Sequence, residues 1–228
     1  MHSESDKLNI LLCCNRPSQN ANAGTVIHHI DSFADYSRHN VHVWSSLSGL
    51  PHDEILQAFD CIVVHYTLSL LTDTYLPGES VERLRSFPGI KICFLQDEYR
   101  RVQIACDKLA YAGFHAVFTC APEGTREQLY RSIADTVELH TTLTGYVPEH
   151  LVDFQTLPSA ERPIDVSYRA RKCSYALGQL SHDKYLIGSK FKHHTQDTGL
   201  RCDISSKERD RKYGDKWVEF IANSKATL

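Results

Sequence analysis

Leu8-Asn9-Ile10-Leu11-Leu12-Cys13-Cys14 is the stretch from which the rest of the chain can be read. It is short, apolar and bounded by polar residues, which suits a buried strand. Asn15-Arg16-Pro17-Ser18-Gln19-Asn20 follows as a loop. Val26, Ile30 and Phe33 then recur at steps of four and three, predicting a helix over 21–36 with one apolar face. A strand, a loop and a helix in that order begin a βαβ unit, and the same alternation continues downstream.

Strands are expected over 40–46, 61–66, 90–95, 116–120 and 137–143. Cys61-Ile62-Val63-Val64-His65-Tyr66 is the most β-branched of them. Helices are expected over 51–59, before Pro88-Gly89, over 102–112 with Gly113 as the stop, and over 122–133. Strands separated by helices imply a parallel sheet covered by helices, so the class is α/β with a Rossmann-like first lobe over 1–150. Pro148, Pro158 and Pro163 punctuate a linker over 151–163. A second αβ pattern fills 164–228: a strand over 164–168, a helix over 182–197, a strand over 200–204 and a last helix from 207. Two strand–helix units are too few to close a core, so 164–228 reads as the start of a second Rossmann-like lobe.

Apolar residues make up 42% and charged residues 23%, ordinary for a globular protein, and the net charge is −3. The chain lacks the basic stripe of a general nucleic-acid binder, so no nucleic-acid partner is expected. No apolar run approaches a membrane span and the first residues are polar, so a cytoplasmic location is expected, with peripheral membrane contact left open. The eight cysteines include no C-x-x-C pair and read as reduced, small core residues.

Several familiar signatures are missing. There is no G-x-G-x-x-G after the first strand, no G-x-x-x-x-G-K-[ST] and no G-x-S-x-G, which disfavours dinucleotide dehydrogenases, P-loop enzymes and hydrolases of the nucleophile-elbow kind. Ligands of parallel sheets bind beyond the carboxyl ends of the strands, so the loops starting at Asn15, His65, Gln96 and Cys120 matter most. Asn20, Asn22 and Gly24 stand at the start of the first helix, where free amides either hold a phosphate or sugar hydroxyl or are simply capped. Gln96, Asp97 and Glu98 end the fourth strand. A carboxylate there serves as a general base toward an acceptor hydroxyl, or favours a helix start through the macrodipole. His65 is either structural or catalytic. Arg169, Arg171 and Lys172 cluster after the strand of the second lobe and suit a diphosphate. The histidine pairs 28–29 and 193–194 are adjacent and diverge on a helix, so no metal site is expected.

The phrases RPIDVSYRARK, LGQLSHDKYLIGSKF, GLRCDIS and ERDRKYGDKWVEFI resemble the start of the C-terminal lobe of bacterial GT-B glycosyltransferases, in particular the glycosyltransferase family 1-like proteins of surface-polysaccharide clusters. FADYSRHNVHVW, FDCIVVHYTLSL and FLQDEYRRVQ resemble the N-terminal lobe of the same group. The resemblance implies transfer of a sugar from a nucleotide-diphosphate donor to a glycan or lipid-linked acceptor, with the nucleotide-sugar as substrate and no cofactor. It places Arg169, Arg171 and Lys172 near the donor diphosphate, and Asp97, Glu98 and His65 on the acceptor side. Family members continue into a glycine- and serine-containing turn and an acidic segment, so the donor-side lobe is expected to be partial here. The alternative is a non-catalytic Rossmann-like module that binds a glycan or a partner.

Overall fold

A computed structural model describes residues 6–18, 24–98, 100–143 and 145–228. The chain divides into two compact units, with the change at Val147–Pro148.

The first unit alternates strand and helix throughout: β1 (Asn9–Cys14), α1 (Gly24–Tyr36), β2 (Asn40–Ser45), α2 (Asp53–Leu56), β3 (Cys61–Val64), α3 (Gly78–Ser86), β4 (Ile90–Phe94), α4 (Val102–Ala112), β5 (Ala116–Thr119), α5 (Thr125–Leu129) and β6 (Glu138–Thr141). All six strands are parallel, in the order β2-β1-β3-β4-β5-β6. This is the expected Rossmann-like α/β sheet. The period-two alternation of β1 sends Leu11 and Cys13 to one face and Leu12 and Cys14 to the other. β3 divides in the same way, Ile62 and Val64 against Cys61 and Val63. The walk from β1 to β2 runs opposite to the walk from β3 to β6. Right-handed crossovers therefore place α1 on one face and the later helices on the other. The packing follows that division: Val26, Ile30 and Phe33 of α1 join one cluster, while Val81, Leu84, Cys106, Leu109 and Ala112 of α3 and α4 join the other. Gly113 ends α4 with φ +70°, a left-handed stop that glycine adopts freely.

The helix expected over 122–133 shortens to α5. The buried side chain of Tyr130 takes the C-cap position, and turns carry the chain on to bury Ile133 and Val137. After β6 the backbone of Tyr146 exchanges two hydrogen bonds with the Thr25 hydroxyl, 2.7 and 2.9 Å, tying the end of the unit to the start of α1.

The second unit holds β7 (Ile164–Arg169), α6 (Gln179–His194), β8 (Cys202–Ser205), α7 (Asp215–Ala222) and β9 (Ser224–Thr227). The expectation of two strands is overturned. β9 pairs parallel with β7, completing a three-stranded sheet in the order β8-β7-β9. A polar tetrapeptide carries no alternating apolar pattern, and its conformation comes from pairing with β7. The last helix starts at Asp215 instead of 207, after a single 3-10 turn over Glu208–Asp210. Tyr168, Ala170 and Ile204 form the small core with Phe191 of α6. Gly188 lets α6 approach closely, since a Cβ there would lie 2.9 Å from Ile204 Cγ2 and 3.1 Å from Tyr168 Cδ1. No helix among the described residues is long and apolar enough to cross a membrane.

Candidate functional site

In the first unit strand order reverses between β1 and β3, the position at which doubly wound sheets bind their ligands. His65 follows β3 directly and is fully buried. Its Nδ1 accepts the backbone N–H of Thr67 (3.2 Å) and lies 2.9 Å from the Thr67 hydroxyl. That hydroxyl accepts the backbone N–H of Asn15, at the end of β1, at 2.9 Å. The loop after β1 and the loop after β3 are thus joined through one threonine.

The direction of this chain of bonds is set by its two amides, which can only donate. Nδ1 of His65 receives a proton, so its own proton sits on Nε2. That nitrogen lies 2.9 Å from His29 Nδ1 and donates to it. His29 therefore carries its proton on Nε2, a nitrogen without a hydrogen-bond partner among the described residues. Burial lowers the pKa of both rings. His65 falls to about 3, through burial first and the neighbouring His29 second, and His29 falls through burial. The result is a neutral histidine pair presenting one N–H.

Aromatic side chains fix the pair in place. Tyr66 stacks on His29 at 5.5 Å and 19°, and Phe33 and Phe94 meet the His29 ring edge-on at 5.3 and 5.5 Å. The Tyr66 phenol bonds Gln96 at the end of β4, and burial pushes its pKa up to about 12. His65 and Gln96, both expected from sequence, are brought together through Tyr66.

The two carboxylates after Gln96 have different surroundings. Glu98 accepts from the Thr119 hydroxyl, from the Cys120 amide (3.0 Å) and from the Tyr130 phenol (3.4 Å), so it fastens the loop after β4 to the end of β5. Asp97 is exposed and sits at φ +65°, in the left-handed region that aspartate tolerates better than most residues. It has no hydrogen-bond or ion-pair partner among the described residues. Gly24 is the first residue of α1, while Asn20 and Asn22 lie outside the described residues.

In the second unit the three expected cations separate. Arg169 is nearly buried and committed to the fold. Its guanidinium donates to the carbonyls of Tyr168, Asp203 and Asp210 (2.9–3.0 Å), pairs with the Asp203 carboxylate at 2.7 Å, and lies 4.3 Å above the Phe220 ring. Arg171 and Lys172 lie in the loop beyond β7, exposed and without an ion pair among the described residues. Lys172 Nζ approaches the Tyr185 ring at 6.0 Å. No group of three or more metal-ligating side chains occurs among the described residues.

His29 is the residue that sequence reading missed. The sequence shows it only as one of an adjacent histidine pair unsuited to a metal, and its pairing with His65 spans 36 positions. The one available signal was a histidine one turn before Phe33 on the face that meets the sheet. No protein-family model matches the chain, and no curated protein or solved structure matches it either.

Proposed function

We propose that the chain is a glycosyltransferase of the two-Rossmann-lobe kind, taking a nucleotide-diphosphate sugar and a glycan or lipid-linked acceptor. The observation that carries this reading is a repeated topology. The β8-β7-β9 order of the second unit reproduces the β2-β1-β3 order that opens the first. Each unit starts a doubly wound sheet, and each ends its central strand in a polar loop.

In this reading Asp97, exposed and without a hydrogen-bond or ion-pair partner among the described residues, takes the proton of the acceptor hydroxyl, whereas Glu98 already accepts three donors on one of its oxygens. His29 holds the acceptor oxygen with its Nε2–H. The acceptor oxygen bonds to the anomeric carbon as the sugar–phosphate bond breaks, and the nucleoside diphosphate leaves with the bonding pair. In the second unit, taken by itself, Arg171 and Lys172 are the exposed cations available to a diphosphate, and the catalysis this reading asks for is positioning plus charge stabilisation. The commitment of Arg169 to the fold favours the competing reading, a binding module without transfer, because it removes one of three expected diphosphate cations.

Saturation-transfer NMR with a panel of nucleotide-diphosphate sugars separates these readings. Arg171→Ala with Lys172→Ala is expected to weaken donor binding roughly tenfold or more, since each charge-assisted contact contributes on the order of 1.5–3 kcal/mol. Asp97→Asn is expected to keep binding and abolish transfer. Donor binding untouched by the double change would remove the assignment of the two cations. Acceptor binding without transfer would favour the module.

A further inference from the structure

Beside the edge strand β8 the surface of the second unit sinks into a depression of about 610 Å³. Three elements wall it: the last turn of α6 with Lys192, the segment after β8 with Lys207, Arg209, Arg211 and Lys212, and the first turn of α7 with Lys216. This concentration of cations occurs in a chain whose net charge is −3.

The acids nearby are already engaged. Asp203 is paired with Arg169 at 2.7 Å, and Asp210 accepts the Ser205 hydroxyl at 2.6 Å with Arg209 3.8 Å away. Arg211 pairs with Glu208 at 2.5 Å. Lys192, Lys207, Lys212 and Lys216 make no ion pair among the described residues. These four line one hollow, so an anion seated there is reached by several ammonium groups at once. Lys216 also stands in the first turn of α7, the end where the helix dipole is positive, and Gly214 before it supplies no side-chain cap. Lysine charge, helix dipole and uncapped amides all favour a multiply charged anion in the hollow.

We infer that this depression binds a ligand carrying two or more closely spaced phosphates. Its volume falls in the range of small-molecule sites. Of the three cations expected at a donor diphosphate only Arg169 lines it, and that guanidinium is held by Asp203; Arg171 and Lys172 do not line it, so the inference is argued from the hollow's own lysines and does not rest on the glycosyltransferase reading. The shared chemistry is the diphosphate, whether free in a nucleotide or displayed on a phosphorylated lipid headgroup.

The test uses the full chain and inorganic pyrophosphate, titrated by calorimetry at about 50 mM salt, where screening is modest. Lys212→Gln with Lys216→Gln is expected to weaken binding about tenfold or more, while Arg171→Ala with Lys172→Ala leaves it within about twofold. Raising the salt is expected to weaken binding by the wild type more than by the lysine variant. Circular dichroism checks that the variant folds, and Lys207→Gln alone serves if it does not. A nucleoside diphosphate that displaces pyrophosphate identifies the free ligand. Vesicles with a bisphosphorylated headgroup that pull down the wild type, and not the lysine variant, identify the lipid. Pyrophosphate binding that is absent up to millimolar concentration, or equal in wild type and lysine variant, overturns the inference.

Discussion

His65 shows how a single ring can couple stability to pH. It is fully enclosed and neutral, and its folded pKa of about 3 lies below the ordinary value of 6.5. Below pH 6.5 the unfolded chain takes up a proton that the folded chain refuses, so stability is complete above 6.5 and is lost as pH falls toward 3. Urea melts at pH 7 and pH 5 are expected to differ by on the order of 1–2 kcal/mol from this residue. His65→Gln should flatten that slope, and a slope unchanged by the substitution would show that the ring is not held neutral. Nitrogen-15 NMR checks the bond directions independently: both rings should show a protonated Nε2 at pH 7. Position at the end of a β-branched run was enough to single out His65 in the sequence. The identity of its partner was not legible, because a contact between a helix and a distant strand end leaves no local pattern.

Single elements carry the next layer of cause. The strands of the first unit were legible because each is a short apolar run between polar turns, and a buried parallel strand leaves that mark. β9 was not legible, because Ser224-Lys225-Ala226-Thr227 has no such mark and gains its conformation from the hydrogen-bond ladder of β7. Glu98 was expected as one of two acids at a strand end, but sequence could not reveal that three donors from β5 and α5 converge on it. Glu98→Ala is expected to cost about 1–3 kcal/mol, read from denaturant melts, because the Cys120 amide and its neighbours lose their acceptor. Gly188→Val should cost a similar amount or more in the second unit, since its Cβ alone would lie 2.9 Å from Ile204 Cγ2, closer than packed side chains come, and 3.1 Å from Tyr168 Cδ1, which would have to give way. Retained stability in that variant would mean that α6 does not sit against β7 and β8 as described.

The molecule as a whole is two sheets of unequal size on one chain. The αβ alternation made both legible, and the change between them falls in a stretch where Val147 and Val152 are 74% and 79% exposed. Limited proteolysis is expected to cut between 147 and 157 first and to leave a folded piece ending near Val147. Early cuts inside α3 or α4 would contradict the first unit's core.

The central position of β7 also bears on the order of events during synthesis. Ile164 is matched with Ser224 and Val166 with Ala226, so the first strand of the second unit waits some sixty residues for one of its two neighbours. A ribosome adding roughly 5–20 residues per second takes several seconds to cover that interval. During those seconds β7 and β8 can pair, but one flank of β7 stays open to any strand nearby, including the same segment on a neighbouring nascent chain. Closing so long a loop delays the contact and rewards it late. Crowded polysomes are therefore where this unit is most exposed to mispairing, and slower translation beyond Thr227 would not relieve it, because the vulnerable interval lies before that point.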